Sequence, residues 1–319
     1  MRRSEGSSTA LACRPQPAYR PAYRHQYRPF SREGVRVKGR LPEAVLVLVA
    51  TIWGGTFLAT RVALDGIGPF TLLFLRFALG ALIVGAFIRK RPTGEEVQGA
   101  LLVAIVTAIA IGSQTVGLRT VESGRAAFLT ALYVPLVPLL QGPLTGRRPT
   151  AGMIAGAALA FLGLVALSSE GGLSIRFGLG ESLMLVGALA SALQIILVGR
   201  YASSGNAPAL TAVQLGGVAM LALSGAATEG MYATQTGLML AAGLGIFGTA
   251  GALFAMNWAQ RTVSPSRATL IYALEPVWAA LFGALAGERL GAWGAAGGGL
   301  VVAGALVGEF LPDREVAAA

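Results

Sequence analysis

Arg76 and Glu275 are charged residues set well inside long apolar runs of the chain, and such positions demand a reason. A charged side chain near the middle of a bilayer costs about 2.5–3.5 kcal/mol on insertion scales, so each should face a cavity or a partner. Arg76 stands about seven residues, or roughly 10 Å, into its run. It can snorkel, tie helix ends together, or bind an anionic group of a substrate. Glu275 stands about eight residues, or roughly 12 Å, in from the opposite face. A carboxylate there can make a structural hydrogen bond or ion pair, bind substrate, or take up and release a coupling proton. Pro276 follows it, bending the helix and leaving a carbonyl about one turn back without its donor. About 8 Å separates the two depths, a gap that water could bridge.

Uncharged polar and aromatic residues fall in the same kind of position. Gln114, Gln194, Gln214 and Asn257 put one amide in each of four apolar runs. Such amides bond across helices as interhelical glue, or together line a polar cavity. Trp53, Tyr133, Tyr272 and Trp278 lie deep in their runs and not at headgroup level, where an aromatic belt would sit. They are candidates for the cavity wall or for ordinary packing. No enzymatic constellation accompanies them. Beyond the first 42 residues the sequence has no histidine and no cysteine, so metal and thiol chemistry lack ligands and nucleophiles. It also has no Gly-x4-Gly-Lys-Ser/Thr loop for ATP and no pair of intramembrane carboxylates to share acid and base roles. The reading is of a protein that is not an enzyme and needs no cofactor.

The elements that must position these residues follow from composition. Of 319 residues, 54% are hydrophobic and 44 are glycine. Only 13% are charged, about half the share usual in soluble domains. The net charge of +10 is concentrated in Met1–Pro42, which holds ten basic and two acidic residues, while the remainder is nearly neutral. A folded surface for nucleic acid is therefore not expected. Apolar runs at 43–62, 69–88, 97–118, 124–141, 152–168, 181–199, 208–227, 237–257, 267–286 and 294–311 each suit a hydrocarbon core of roughly 30 Å. Turn signals such as Arg91-Pro92, Arg148-Pro149 and Ser264-Pro265 separate them. The runs are continuous and not alternating, so the fold class is an all-α polytopic membrane protein with ten transmembrane helices, not a β-barrel.

Loop charge sets the expected orientation. With the N-terminus inside, the cytoplasmic loops carry Arg89, Lys90, Arg91, Arg147, Arg148, Arg200, Arg261 and Arg267. The opposite loops carry Arg61, Arg119, Arg125, Arg176 and Arg289. That bias, with the basic tail, places both termini in the cytoplasm. Residues 1–42 then form a disordered basic tail, rich in Arg, Pro and Tyr around Pro17–Phe30. Other readings of the tail are a translation start upstream of a true one near Val35 or Val37, and lipid or RNA binding. Residues 312–319 form a short cytoplasmic C-terminal tail.

The body repeats itself at an offset of 141 residues, the separation of Pro135 and Pro276. Ser123, Ala127, Leu129, Gly142, Gly146, Arg148, Gly156 and Gly163 recur as Ser264, Ala268, Leu270, Gly283, Gly287, Arg289, Gly297 and Gly304. The halves, 43–168 and 181–311, hold five helices each. Five is odd, so the second half enters the membrane from the other side and the repeats are inverted. That architecture recurs in secondary transporters, with the substrate near the midplane between the halves. Gly152/Gly156, Gly294/Gly298 and Gly304/Gly308 place small residues four apart on the fifth and tenth helices. The spacing serves close packing within the fold or, alternatively, a homodimer seam.

Several of these segments resemble EamA-type members of the drug/metabolite transporter superfamily. They are Trp53-Gly54-Gly55-Thr56-Phe57, the Pro69…Arg76 spacing, Ser123-Gly124-Arg125-Ala126-Ala127-Phe128-Leu129 leading to Pro135, and Leu274-Glu275-Pro276 followed by Gly287-Glu288-Arg289-Leu290. The resemblance covers about residues 43–311. Gly146-Arg147-Arg148 departs from the Gly-Glu-Arg usual in the first half of that family. The resemblance implies ten helices in two inverted five-helix halves, both termini cytoplasmic, moving small metabolites without ATP. The expectation is an inner-membrane secondary transporter that exports a small organic metabolite or drug by alternating access, with substrate and the lipid bilayer as partners, a second copy as an alternative partner, and no nucleic acid. The competing readings are a membrane-embedded lipid-processing enzyme and a non-transporting scaffold.

Overall fold

The computed structural model describes residues 40–146, 149–168, 178–202, 206–285 and 292–310. Residues 1–39 of the basic tail, Arg147, Arg148, Arg176, the Gly287-Glu288-Arg289-Leu290 motif and residues 312–319 lie outside them, while Leu41 and Pro42, expected in the tail, open the first helix. The described residues form ten helical rods. These are α1 (Leu41–Leu64), α2 (Pro69–Gly85), α3 (Gly94–Gly117), α4, α5 (Ala151–Ser168), α6 (Leu179–Tyr201), α7 (Ala207–Thr228), α8 (Gln235–Ala259), α9 and α10 (Ala292–Phe310). Two rods are broken. α4 runs as Ser123–Thr130 and Tyr133–Thr145, and α9 as Pro265–Tyr272 and Glu275–Leu285.

The turn signals act as expected. Pro42, Pro69, Pro208 and Pro265 occupy first-turn positions, where a helix has no use for their missing N–H. Thr93 and Glu96 make a reciprocal capping box at the start of α3. Gly146, at φ 70°, ends α4 in the left-handed conformation that a side chain would resist.

The surface is unlike that of a water-soluble fold. Every rod exposes large apolar side chains: Leu48, Leu82, Ile105, Leu139, Leu162, Leu189, Met220, Phe247, Leu285 and Leu306 are examples, one per rod. Inside lie Arg76, Gln194, Gln214, Asn257, Gln260 and Glu275, each at most 7% exposed. So broad an apolar exterior, around a core that buries two charged residues and several amides among its apolar side chains, is stable where the surrounding solvent is hydrocarbon. This is a multi-pass membrane protein.

The repeat in the sequence is a repeat in space. Exchanging each helix for the one five places on maps the packing onto itself. α3 packs on α6 as α8 packs on α1, α3 on α7 as α8 on α2, and α4 on α6 as α9 on α1. The sharpest instance is the seam between α5 and α10. A Cβ added at Gly163 would meet the carbonyl oxygen of Gly297 at 2.6 Å, and one added at Gly304 would meet that of Gly156 at the same 2.6 Å. Gly156 and Gly163 are the equivalents of Gly297 and Gly304, so these two contacts are one contact seen twice. Gly156, Gly163, Gly297 and Gly304 thus serve close packing within the chain.

Connections sort into two ends. At one, Thr234 N donates to Gly66 O at 2.7 Å, and Arg61 Nη1 donates to Val121 O at 3.3 Å. At the other, Asn206 Nδ2 donates to Lys90 O at 3.3 Å, and Gln141 Oε1 accepts from Ser266 N at 3.0 Å and Ser266 Oγ at 2.7 Å. Among the described residues, the first, third and seventh connections thus share one end, and the second, fourth, sixth and eighth the other, as alternating crossings require.

Candidate functional site

Both helix breaks fall at corresponding places in the repeat, and both have the same cause. A proline at the third residue of the second piece of α4 (Pro135), or the second residue in α9 (Pro276), cannot continue the hydrogen-bond ladder from the first piece. In α4 the carbonyl left over, Ala131 O, is taken by Val134 N at 2.9 Å. In α9 it is Tyr272 O, which accepts from Tyr133 Oη at 3.1 Å. The same hydroxyl lies 3.0 Å from Oε2 of Glu275. A side chain at the break of the first half therefore closes the break of the second. Interrupted helices at matching positions in two inverted halves mark the usual place of a transporter's binding site.

Around this point lies a cavity of about 80 Å³. Six of the residues singled out from the sequence line it: Trp53, Arg76, Gln114, Tyr133, Gln194 and Glu275. Thr56, Thr60, Thr115, Thr130 and Ser191 add hydroxyls, and Phe57, Ile111, Leu118, Ile195 and Met256 add apolar wall. Pockets for drug-sized ligands are roughly 300–1,000 Å³ in volume. The present space suits several water molecules or one small polar molecule.

Arg76 is 4% exposed and donates from Nε to Thr249 Oγ1 at 2.8 Å. Its acceptor sits in an eight-residue π-helical stretch, Leu244–Gly251, in the middle of α8. Such wide turns recur at functional sites because they redirect backbone and side chains. Here the stretch is glycine-rich, which lets two helices come close. A Cβ at Gly245 would meet the backbone of Arg76 at 3.1 Å, and one at Gly248 would meet Thr56 Cγ2 at 2.8 Å. The carbonyl of Gly248 accepts from Trp53 Nε1 at 3.1 Å. Trp53 also packs its ring on Tyr272, with centroids 5.4 Å apart. It thereby links the Arg76 end of the cavity to the Glu275 end.

The other four residues have structural positions. Gln214 donates to Thr107 Oγ1 at 2.8 Å, and Asn257 donates to Thr211 Oγ1 and Gln214 Oε1 at 2.9 Å each. This fully buried network joins α3, α7 and α8, so these two amides are glue and not cavity wall. Tyr272 is buried behind Trp53, its hydroxyl 3.4 Å from Gln260 Nε2. Trp278 stacks on Phe282 at 6.1 Å and packs on Gly54. Sequence reasoning missed Thr249 and the π-helical stretch. The signal was there in the spacing of Gly243, Gly245, Gly248 and Gly251, too dense for a helix that only has to pack.

The Trp53-Gly54-Gly55-Thr56-Phe57 segment now has a use for each residue. Trp53 spans the cavity, Gly54 admits α9, Gly55 faces Phe282, Thr56 meets Gly248, and Phe57 lines the wall. Comparison with known proteins agrees with that arrangement. The EamA-like transporter family matches twice, over residues 41–169 and 178–308. The chain belongs to the EamA-like transporter family. Its EamA halves coincide with the two five-helix repeats. An uncharacterized transporter of Archaeoglobus fulgidus is 30% identical over 252 residues, covering 77% of this chain and 78% of its own. The uncharacterized inner membrane transporter YedA of Escherichia coli K12 is 30% identical over 249 residues, 75% of this chain and 81% of its own. A probable terminal-alkyne amino-acid exporter of Streptantibioticus cattleyicolor is 30% identical over 143 residues, 42% of this chain and 47% of its own. A crystal structure 20% identical in sequence superposes with a TM-score of 0.69 over 87% of this chain and all of its own, which shows a shared fold.

Proposed function

We propose that this EamA-like protein is a secondary active exporter of a small organic metabolite, working by alternating access between its two inverted halves. The observation that carries the reading is the hydrogen bond from Tyr133, at the break of α4, to Tyr272 O, at the break of α9. The cavity wall is thus built from the moving parts of both halves, and a change in their relative tilt must remake it. Arg76 and Glu275 act there in substrate binding or coupling. The direction is supported by the name of the similar exporter from Streptantibioticus cattleyicolor. An inner-membrane location with both termini in the cytoplasm is supported by the name of the Escherichia coli relative and by the loop charges.

Flux in proteoliposomes tests this, with labelled amino acids, nucleosides, sugars and drugs under imposed proton or sodium gradients. Accumulation of at least one compound, dependent on a gradient and independent of ATP, is expected. Flux that requires ATP, or none across the whole panel, removes the proposal. Reporter fusions after Arg91, Arg148 and Ala319 should all report the cytoplasmic side, and an outside signal at Ala319 overturns the orientation.

A further inference from the structure

We propose that Gln141 and Gln260 are gate residues that lock the first piece of α9 and hold shut the end carrying Lys90 and Asn206; this rests on the alternating-access reading. Ser266 is the second residue of α9, so its N–H has no acceptor within its own helix. Gln141, on the second piece of α4, supplies one. Its Oε1 accepts from Ser266 N at 3.0 Å and from Ser266 Oγ at 2.7 Å. Gln260, the residue after α8, donates from Nε2 to Tyr272 Oη at 3.4 Å, at the far end of the same helical piece. Gln141 is 4% exposed and Ser266 1%, and Gln260 and Tyr272 are fully buried. Water does not compete for such bonds, so each must be given up before α9 can part from α4 and α8.

The inverted repeat makes this lock one-sided. At the offset of 141 residues, Gln141 corresponds to Phe282, Ser266 to Arg125 and Tyr272 to Ala131. α8 holds one more residue than α3. Thr93 and Thr234 cap their starts 141 apart, while Arg119-Thr120-Val121 and Arg261-Thr262-Val263 follow their ends 142 apart. The counterpart of Gln260 is therefore Leu118. The side chains of Phe282, Leu118 and Ala131 have no hydrogen-bonding group, so neither bond has an equivalent at the opposite end. The cavity is skewed in the same sense. Gln114 and its counterpart Met256 both line it. Leu118 and Thr130 line it too, toward the opposite end, but their counterparts Gln260 and Ile271 are not among the lining residues. The space thus extends from the midplane toward the end without the lock and stops short of the end with it.

The test reads the accessibility of one cysteine from both sides of the membrane, in the full chain carrying Cys13→Ser, since Cys13 is its sole cysteine. Ser191→Cys puts the reporter on the cavity wall near the middle of α6, at similar depth from either side. The probe is sulfonatoethyl methanethiosulfonate, which does not cross the bilayer, added without cargo to membrane vesicles of either orientation. The reporter should react about tenfold faster or more from the Leu118 end than from the Gln141 end. Gln141→Leu, which keeps the size and removes the acceptor, should raise the rate from the Gln141 end by about fivefold and lower the rate from the other. Ser266→Ala removes one of the two bonds and Gln260→Leu the bond to Tyr272, so each should shift the rates in the same sense by about twofold. These two variants carry the test if Gln141→Leu does not fold. A parent that reacts faster from the Gln141 end, equally from both ends or from neither overturns the proposal. So do unchanged rates in the variants, or an equal rise from both sides, which marks looser packing and not a gate. Opposite shifts at the two ends without flux of any labelled compound would sink the exporter reading alone. Gradient-driven flux without such shifts would sink the lock alone.

Discussion

Tyr133 Oη lies 3.1 Å from the carbonyl oxygen of Tyr272 and 3.0 Å from Oε2 of Glu275. The hydroxyl has one proton and two acceptors within reach. With Glu275 ionised, it can serve the carboxylate or the carbonyl that Pro276 has stripped of its donor, but not both fully. With Glu275 neutral, the carboxyl proton goes to Tyr133 Oη and the tyrosine proton goes to Tyr272 O, and every group is satisfied. The occupancy of Glu275, by a proton or by a cationic group, is therefore felt at the joint of α9.

Replacing Tyr133 with Phe removes the hydroxyl whose contacts with Tyr272 O and Glu275 Oε2 join the two helix breaks. Tyr272 O is left buried without a donor, a loss of about 1 kcal/mol by the scale of polar contacts within membranes. The protein should fold with a melting temperature lowered by a few degrees and lose most of its transport rate. Unchanged transport by Tyr133→Phe in proteoliposomes would show that the contact between the breaks does not take part in the cycle.

Glu275→Gln separates charge from hydrogen bonding. The amide can donate to Tyr133 Oη and free the tyrosine proton for Tyr272 O, so the local network is completed without a charge. Stability should match the parent within about 0.5 kcal/mol, while gradient-driven accumulation is lost. A variant that melts much earlier would mean that the carboxylate is structural.

The fold was legible because its signals are long and repeated. Ten apolar runs, turn residues between them and Pro135 matched to Pro276 give helix number and inverted symmetry without any need for contacts. Much of the site was legible for a different reason: a charge or an amide in hydrocarbon must have a use, so Arg76, Glu275, Gln114 and Gln194 could be named from burial cost alone. The same rule cannot tell a cavity from a hydrogen-bonded core, and Gln214 and Asn257 went to the core because α3 and α7 present Thr107 and Thr211 to them. Thr249 escaped notice because a threonine is cheap in a helix, and only the π-helical turn that aims it at Arg76 gives it a role.

The two adjacent glycines of α1 should differ sharply in tolerance. A Cβ at Gly54 would lie 2.7 Å from Trp278 Cβ and 2.8 Å from Glu275 O, backbone and near-backbone atoms that cannot step aside. Gly54→Ala should push α9 outward, cost about 2 kcal/mol and disturb Glu275. A Cβ at Gly55 would rest 3.6 Å from the Phe282 ring, an ordinary contact. Gly55→Ala should therefore keep both melting temperature and transport close to the parent, and equal damage from the two substitutions would contradict the α1–α9 packing.

Asn257 and Gln194 should fail in different ways. Asn257→Ala takes donors from Thr211 and from Gln214 Oε1 in a fully buried network, so stability falls by about 1 kcal/mol while flux per folded molecule holds. Gln194→Ala alters the cavity wall, so stability holds and the concentration for half-maximal flux changes. Melting curves read beside flux separate the two outcomes, and the reverse pattern would exchange their assignments.

Glu229, at the end of α7, closes one end of the protein over α2. Its carboxylate accepts from Phe70 N at 3.1 Å, Thr71 N at 3.0 Å and Thr71 Oγ1 at 3.2 Å, so it caps a helix to which it does not belong. The neighbouring connections are joined as well, by the Thr234–Gly66 bond and the pairing of Ile67 with Ala233. Anions at a helix N-terminus gain from the exposed N–H groups and from the helix dipole, by about 1 kcal/mol here. If the halves alternate as proposed, any opening between α2 and α7 at that end must break these bonds, and Glu229 should weigh on the balance between open and closed forms. Glu229→Ala should favour opening by about 1 kcal/mol, or roughly fivefold in population. A cysteine placed at Thr60, on the cavity wall, should then react faster with a membrane-impermeant thiol reagent added from that side. Equal reaction rates with and without Glu229 would show that the cap only stabilises α2 and does not hold the end shut.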